Sequence, residues 1–351
     1  MSTQKHALIT GITGQDGAYL AKFLLGKGYK VYGTYRRLST PNFWRLQYLD
    51  VIDKINLIPA DLIDASSIVE AIEIAKPDEI YHLAAQSFVG TSFEQPIGTG
   101  DITGLGTTRV LEAIRQVNRQ MKFYQASTSE LYGTGSEIIK DEYIPFRPAS
   151  PYAVAKLYSY WMTAIYRKGY NIFACNGILF NHESPLRGLE FVTRKISNAV
   201  AKISLGLENE LHLGNLEAVR DWGYAPEYVE SMWLILQQKE ADDYVIATNE
   251  AHSVKEFVEK AFSLVSMDWQ KYVKEDMRLF RPLDVNCLKG DYSKAKKTMG
   301  WEPRVKFEEL VEIMVREDLN RWKRWKKGEC FPWDAAHYPT ETLILTRTLR
   351  I

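Results

Sequence analysis

A tyrosine and a lysine four residues apart, Tyr152 and Lys156, follow a hydroxyl-rich run that ends in a carboxylate, Ser127-Thr128-Ser129-Glu130. These are the residue types best suited to proton transfer in this chain. Ser150 followed by Pro151 reads as a helix N-cap with proline at the first helical position, so Tyr152 and Lys156 fall one turn apart on one face. An ammonium roughly 5–6 Å from a phenol favours the phenolate and lowers its pKa from about 10. That shift predicts a base near neutral pH. The same spacing occurs on many surface helices, so it carries weight only inside a nucleotide-binding fold. Upstream, the apolar run from Phe123 turns polar at Thr128 and Glu130, as a buried parallel strand does where it delivers side chains to the ligand crevice at its carboxyl end.

The opening of the chain offers a nucleotide cradle. His6-Ala7-Leu8-Ile9-Thr10 is a short apolar run, Gly11-Ile12-Thr13-Gly14-Gln15-Asp16-Gly17 follows, and Tyr19-Leu20 with Phe23-Leu24 sets a helical period that stops at Gly28. Strand, glycine turn and helix are the setting in which pyrophosphate binds, because glycine lets the backbone approach and a helix N-terminus offers unpaired N–H groups. The spacing is Gly-x-x-Gly-x-x-Gly, which an ordinary tight turn also fits. The next strand, Lys30 to Tyr35, ends in Arg36-Arg37. Two guanidiniums there suit a ribose 2′-phosphate and hence NADP, with a solvated basic pair as the alternative. Phe43 to Leu49 has the spacing of a short helix packed near the cofactor.

Ile55 to Ala60 reads as a third strand, with Asp61 as a candidate N-cap for a helix over 66–74. Asp78 to Ala85 reads as a fourth, ending in Leu83, Ala84 and Ala85, where a nicotinamide ribose can lie close to the backbone, and Gln86-Ser87 stand at the ligand edge. His82 within that run reads as a core histidine. Residues 90–103 read as a loop, followed by a helix over 106–115, the strand at Phe123 and a sixth strand over 171–178. Strands alternating with helices predict an α/β fold, a Rossmann-like doubly wound parallel sheet.

At 351 residues and 46% hydrophobic, the chain can build a nucleotide domain plus a smaller lobe. Lys+Arg and Asp+Glu are both 44, so no charge excess is available to hold nucleic acid or an anionic membrane. A small-molecule partner is expected. Cys175, Cys287 and Cys330 are too few and scattered for a disulfide framework or a zinc site, which predicts no metal and a reducing, cytoplasmic setting. No run approaches the ~18 apolar residues that span a bilayer.

Longer runs carry a resemblance. Gly14-Gln15-Asp16-Gly17, Leu83-Ala84-Ala85-Gln86-Ser87, the stretches 123–133, 176–185 and 191–196, and Arg220-Asp221-Trp222-Gly223 join Tyr152-x-x-x-Lys156. Together they resemble the extended short-chain dehydrogenase/reductases and, within them, the GDP-mannose 4,6-dehydratases, over roughly residues 5 to 325. The resemblance implies an NADP-dependent hydro-lyase acting on a GDP-sugar, with Thr128, Glu130, Tyr152 and Lys156 as its catalytic set and Ser129 assisting at the sugar. Cofactor contacts implied are Gly11, Thr13, Gly14, Gln15, Asp16 and Gly17 at the turn, then Arg36 and Arg37. Asp61 and Leu62 join them at the adenine, Leu83, Ala84, Ala85 and Ser87 are further cofactor contacts, and His182 and Arg187 flank the nicotinamide.

Substrate contacts implied are Ser87 and Asn181, Val192 with Lys195 facing the diphosphate, Gly214 and Asn215 under the base, and Arg220 on phosphate or ribose. Arg281 and Asp284 match the pair that holds the nucleotide ribose, with aspartate where glutamate is usual. The implied division is an NADP-binding domain over 1–180 with 221–250, in which Tyr244 to Ala247 rejoins the sheet. A sugar-nucleotide lobe of mixed α/β structure over 181–220 with 251–325 and a C-terminal extension over 326–351 complete it.

Gly98 stands where related dehydratases carry a tyrosine that reaches the cofactor, and Leu186 and Tyr224 also depart from the mannose pattern, so a GDP-heptose is the alternative substrate. Such enzymes are usually homodimers paired through the helix bearing Tyr152, whose outer face here carries Tyr158, Trp161 and Met162. A homotetramer is less supported, because the loop over 38–44 departs from the serine-rich pattern. A reductase of the same family would keep Tyr152 and Lys156 but has no need of Glu130, and a non-catalytic NADP-binding module would not keep the whole set.

Overall fold

The computed structural model describes residues 4–39, 42–135, 139–280, 283, 285 and 287–329. In the first half of the chain, β1 (His6–Thr10), α1 (Gln15–Gly26), β2 (Lys30–Tyr35), the short α2 (Trp44–Tyr48), β3 (Asn56–Pro59), α3 (Ala65–Ala75) and β4 (Glu79–His82) alternate. They are followed by α4 (Val89–Glu94), α5 (Pro96–Thr99), α6 (Gly106–Val117) and β5 (Lys122–Thr128). The second half runs through β6 (Ile139–Lys140), α7 (Pro151–Tyr170), β7 (Ala174–Leu179), β8 (Asn181–Glu183), α8 (Val192–Ser204), β9 (Leu211–Leu213), β10 (Val219–Arg220) and β11 (Trp222–Tyr224). It continues with α9 (Ala225–Leu236), β12 (Asp243–Ile246), β13 (His252–Ser253), α10 (Val254–Ser263), β14 (Val273–Glu275), β15 (Cys287–Gly290), α11 (Ser293–Met299) and α12 (Phe307–Lys326).

Seven strands form one parallel sheet in the order β12-β7-β5-β4-β1-β2-β3. Because β1 pairs with β2 on one side and β4 on the other, the chain winds outward in both directions from β1. The crevice at that switch point opens at the carboxyl ends of the strands. Side chains alternate between two covered faces, as a buried parallel sheet requires. Ala7, Ile9, Tyr81 and Tyr124 pack toward α1 and α9, whereas Leu8, Ile80 and Phe123 pack with residues of α3 and α6. A second core joins α8, α10 and α12 around Trp222, Phe257 and Phe307.

The structure differs from the sequence reading at three points. Asp64 caps α3, its Oδ1 accepting from the Ser66 N–H at 3.0 Å, while Asp61 sits too early and takes the Ile63 N–H at 3.2 Å. The stretch over 90–103 is helical rather than a loop, and between α5 and α6 residues Gly100–Leu105 wind with a wider π-type turn. Gly98, Gly100 and Gly104 hid it, since glycine lowers helix propensity and only packing restores the helix. Met162 is half-buried against the sheet core, and the outer face of α7 instead exposes Val154, Tyr158, Trp161 and Ile165.

Candidate active site

Thr128 ends β5, and its hydroxyl accepts the Glu130 N–H at 3.3 Å, capping a single 3-10 turn over Ser129–Leu131. The turn is locked from below. Gly133 has φ +48°, a Cβ there would stand 1.8 Å from the Arg147 carbonyl, and the Arg147 N–H donates to Leu131 O at 2.9 Å. Glu130 is thereby held at the mouth of the sheet, 8% exposed. Across from it, Ser150 caps α7 by accepting the Ala153 N–H at 3.1 Å, with Pro151 at the first helical position.

From that helix Tyr152 and Lys156 enter the same cleft, the Lys156 Nζ 6.0 Å from the Tyr152 ring centroid. The Lys156 ammonium donates to the Ala126 carbonyl at 2.7 Å, and the Thr128 hydroxyl bonds the Tyr152 phenol. Burial dominates both titrations. It pushes Lys156 down to about 8, against the pull of Asp16, and it raises Tyr152 above the ordinary phenol value, opposed by the Thr128 bond and the Arg187 charge. The lowered tyrosine pKa expected from the spacing is therefore not what this structure gives. A phenolate stripped of water is costly, and the ammonium beside it is itself weakened by burial.

The glycine turn fits a nicotinamide dinucleotide. A Cβ at Gly11, which has φ +71°, would lie 2.9 Å from the Ala84 Cα, and one at Gly17 would lie 2.6 Å from the Gly11 carbonyl, so β1, β4 and α1 close on a cradle that side chains would fill. Thr10 fixes it by accepting the Leu83 and Ala84 N–H groups at 3.1 and 3.2 Å while bonding His82 Nδ1 at 2.8 Å. Gly14 caps α1 without a side-chain partner, leaving first-turn N–H groups for an anion. His82 Nε2 has no partner among the described residues, and burial, then the Lys156 charge, holds its pKa at about 3. It is a neutral core histidine.

Asp16, in the first turn of α1, would repel a pyrophosphate if its charge stood alone. His182 Nε2 lies 2.8 Å from its Oδ2, and His182 Nδ1 faces the Phe180 carbonyl at 2.8 Å. Burial raises the Asp16 carboxyl, but the His182 charge and hydrogen bond outweigh it and bring it to about 2. Burial likewise lowers His182, and Asp16 outweighs it, for a net rise. Both ring nitrogens are engaged, so His182 acts on Asp16.

The cleft encloses about 550 Å³. Its lining includes the three glycines with Gln15 and Asp16, Leu83, Ala85, Ser87, Thr128, Glu130, Tyr152 and Lys156, together with Asn181, His182, Arg187, Val192, Lys195, Gly214, Asn215 and Arg220. Thr13, Ala84 and Ser129 stand behind this lining. Arg36 and Arg37 are exposed past the end of β2, and Asp61 and Leu62 follow β3, with Leu62 packed toward Gly106. Arg281 and Asp284 lie outside the described residues.

A family model for GDP-mannose 4,6 dehydratase matches residues 8–314. The chain belongs to this family. GDP-mannose 4,6 dehydratase 2 of Arabidopsis thaliana is 52% identical over 333 residues, which span 92% of this chain and 89% of that protein. GDP-mannose 4,6 dehydratase of Homo sapiens is 50% identical over 338 residues, 89% of this chain and 91% of its own. In fold the chain is similar to a double mutant of DesIV, a dTDP-glucose 4,6-dehydratase of Streptomyces venezuelae (TM-score 0.81, 22% identity, 92% and 99% of the two chains).

In this member of the GDP-mannose 4,6-dehydratase family, Arg187, Lys195 and Arg220 line the cleft. Arg220 is buried and donates to the Val219 and Val285 carbonyls at 2.9 and 2.7 Å, and burial lowers the Lys195 pKa against the pull of Asp276. Gly214 admits the Leu279 carbonyl, which a Cβ would meet at 2.9 Å. Sequence reasoning missed several lining groups. Ser127 has a buried Oγ without a partner among the described residues, one position from the strand end. Phe191 meets Phe88 edge to face at 5.7 Å, and the Arg187 guanidinium lies 3.6 Å over Phe191. Arg45 also lines the cleft, from the short α2, where only its aromatic neighbours had signalled a packed helix.

Proposed function

We propose that this chain converts GDP-D-mannose to GDP-4-keto-6-deoxy-D-mannose with loss of water, as an NADP-dependent hydro-lyase. Carbon 4 is oxidised and carbon 6 reduced in one site, so the sugar undergoes no net redox change apart from dehydration. The observation that carries this reading is the Glu130 carboxylate in the cleft that holds Tyr152, Thr128 and Lys156. A reductase acting on the 4-keto product has no use for it.

A nicotinamide dinucleotide in the glycine cradle supplies an acceptor for the C4 hydride and its donor back to C6. As phenolate, a form that the Thr128 bond and the Arg187 charge favour against burial and that a bound nicotinamide cation would favour further, Tyr152 takes the C4 hydroxyl proton, and Thr128 holds the C4 oxygen. The 4-ketone then acidifies the C5 hydrogen. Glu130 removes it and delivers a proton to the C6 hydroxyl, which leaves as water, and the proton that Tyr152 took from the C4 hydroxyl is returned at C5 as hydride is restored to C6, so the site ends as it began. Ser127 and Ser129 lie beside this set, and Ser127, whose buried hydroxyl has no partner among the described residues, has the better claim to the sugar.

Asn181, Val192, Lys195 and Arg220 are assigned to the diphosphate side, Gly214 and Asn215 to the base, and 181–220 with 251–325 to the lobe that carries them. Arg36 and Arg37 support NADP over NAD, since both guanidiniums stand exposed beyond β2, next to the strand that ends in the glycine turn. A homodimer is supported by the exposed Val154, Tyr158, Trp161 and Ile165 on α7. No described helix is long and apolar enough to cross a membrane, and the sparse cysteines support the cytoplasm.

Incubating the purified protein with GDP-mannose and a panel of UDP-, dTDP- and GDP-heptose sugars, with product masses recorded, tests the assignment. Loss of one water from GDP-mannose is expected. No turnover, or preferred turnover of a UDP- or dTDP-sugar, overturns it.

A further inference from the structure

Arg187 enters the cleft from a loop whose backbone is held by three other arginines. The Pro185 carbonyl accepts from Arg194 Nη1 at 2.7 Å and Arg321 Nη1 at 2.8 Å, the Leu186 carbonyl from Arg45 Nε at 2.7 Å, and the Arg187 carbonyl from Arg194 Nη1 at 3.0 Å. Arg194 and Arg321 are buried and share Asp318 of α12, which is fully buried, and Arg321 also faces Glu317 at 3.5 Å, so two carboxylates balance the pair and fix its aim. Arg45 differs from both.

It is only half-buried, stacks on Trp44 at 4.3 Å, and bonds Thr13 O of the glycine turn through Nη1 at 3.3 Å while Nε holds Leu186 O. One planar guanidinium thus ties the cofactor cradle to the loop that aims Arg187. The Tyr48 hydroxyl anchors the same helix by donating to Glu317 at 2.7 Å. Charge-assisted bonds to successive carbonyls leave the loop little freedom to turn.

We infer that Arg45 is a positioning residue for the reaction, acting through Arg187 by locking the Leu186 carbonyl to the glycine turn. The inference rests on the proposed dehydration of GDP-mannose, and the wild-type assay settles that reading separately, before any variant is compared. A displaced Arg187 costs alignment in the cleft beside Tyr152, where its charge acts.

Arg45→Met is expected to lower kcat/KM for GDP-mannose about tenfold, and Arg45→Lys, which can hold one carbonyl of the two, to recover part of it. In an Arg187→Met background Arg45→Met should have no further effect, and GDP, which lacks the sugar, should bind Arg45→Met as it binds wild type in a calorimetric titration. Equal losses in the two backgrounds, an unchanged kcat/KM, or GDP affinity falling in parallel would each overturn the inference.

Discussion

Replacing Glu130 by glutamine tests the division of labour in the cleft. Glutamine keeps the shape of the side chain and the Thr128 cap on the Glu130 N–H at 3.3 Å, and the turn below stays locked by Gly133 and Arg147, so the site keeps its form. What is lost is a group that can exchange a proton. General acid–base catalysis contributes about 10²–10⁴-fold. Glu130 is required twice in the elimination, once at C5 and once at the C6 oxygen, so the upper part of that range is expected, roughly 4–5 kcal/mol on the barrier. The C4 oxidation uses Tyr152, Thr128 and Lys156 and should stay within a few-fold of wild type. Single-turnover stopped-flow absorbance follows the reduced cofactor, and quenched samples give the 4-keto-6-deoxy product by mass. In Glu130→Gln the reduced cofactor should build up at nearly the wild-type rate while product forms about 10³–10⁴-fold more slowly. Equal slowing of both signals would refute the reasoning, because Glu130 would then be placing the sugar rather than moving protons.

Denatured protein should release NADP rather than NAD, and replacing both Arg36 and Arg37 by alanine should weaken NADP binding by about 2–3 kcal/mol, measured by titration of cofactor-stripped protein. The Asp16–His182 pair sets a pH dependence: the depressed Asp16 carboxyl stabilises the fold above the ordinary aspartate range and loses that as pH falls toward about 2, while the raised His182 stabilises it below the ordinary histidine value and loses that as pH rises through its folded value. Melting temperatures of Asp16→Asn should therefore trail wild type most near pH 5 and converge with it in the alkaline range, and a constant gap would count against the pair. Gly133→Ala, with φ +48° and a carbonyl 1.8 Å from the new Cβ, should cost roughly 2–4 kcal/mol, seen as a lower urea midpoint. Trp161→Glu on the exposed face of α7 should shift sedimentation from dimer toward monomer, and a wild-type monomer at micromolar concentration would remove the dimer altogether.

The sheet was legible because each of its strands is a short apolar run closed by a local signal, such as Gly11 after Thr10 or Arg36 after Tyr35, and buried parallel strands leave little else to decide. The cap of α7 was legible for the same reason, since Ser150-Pro151 acts within one turn. The region after Ser87 was not. Three glycines in the stretch 98–104 argue against helix locally, and what restores it is packing against α7, where the Ser159 hydroxyl donates to the Thr103 carbonyl at 2.9 Å. Arg45, Arg194 and Arg321 were illegible as a group, because their common target is three consecutive carbonyls, and a sequence shows side chains but not which backbone oxygens they will meet.

The spacing of Tyr152 and Lys156 shows how far a local rule reaches. It places the two groups together, and the structure does so too, with the Nζ 6.0 Å from the ring. It says nothing of the medium between them, and burial raises the phenol and lowers the ammonium at once, so proximity alone does not give a phenolate. The ionisation of Tyr152 depends on every charge that shares the cleft: the Glu130 carboxylate raises it and the Arg187 guanidinium lowers it. A cation acts in proportion to how near it is held, and Arg187 is held by its loop, over the Phe191 face and 3.2 Å from Glu183. The inferred hold of Arg45 on the loop's central carbonyl therefore reaches the proton chemistry at Tyr152 through Arg187, whose charge acts on that phenol.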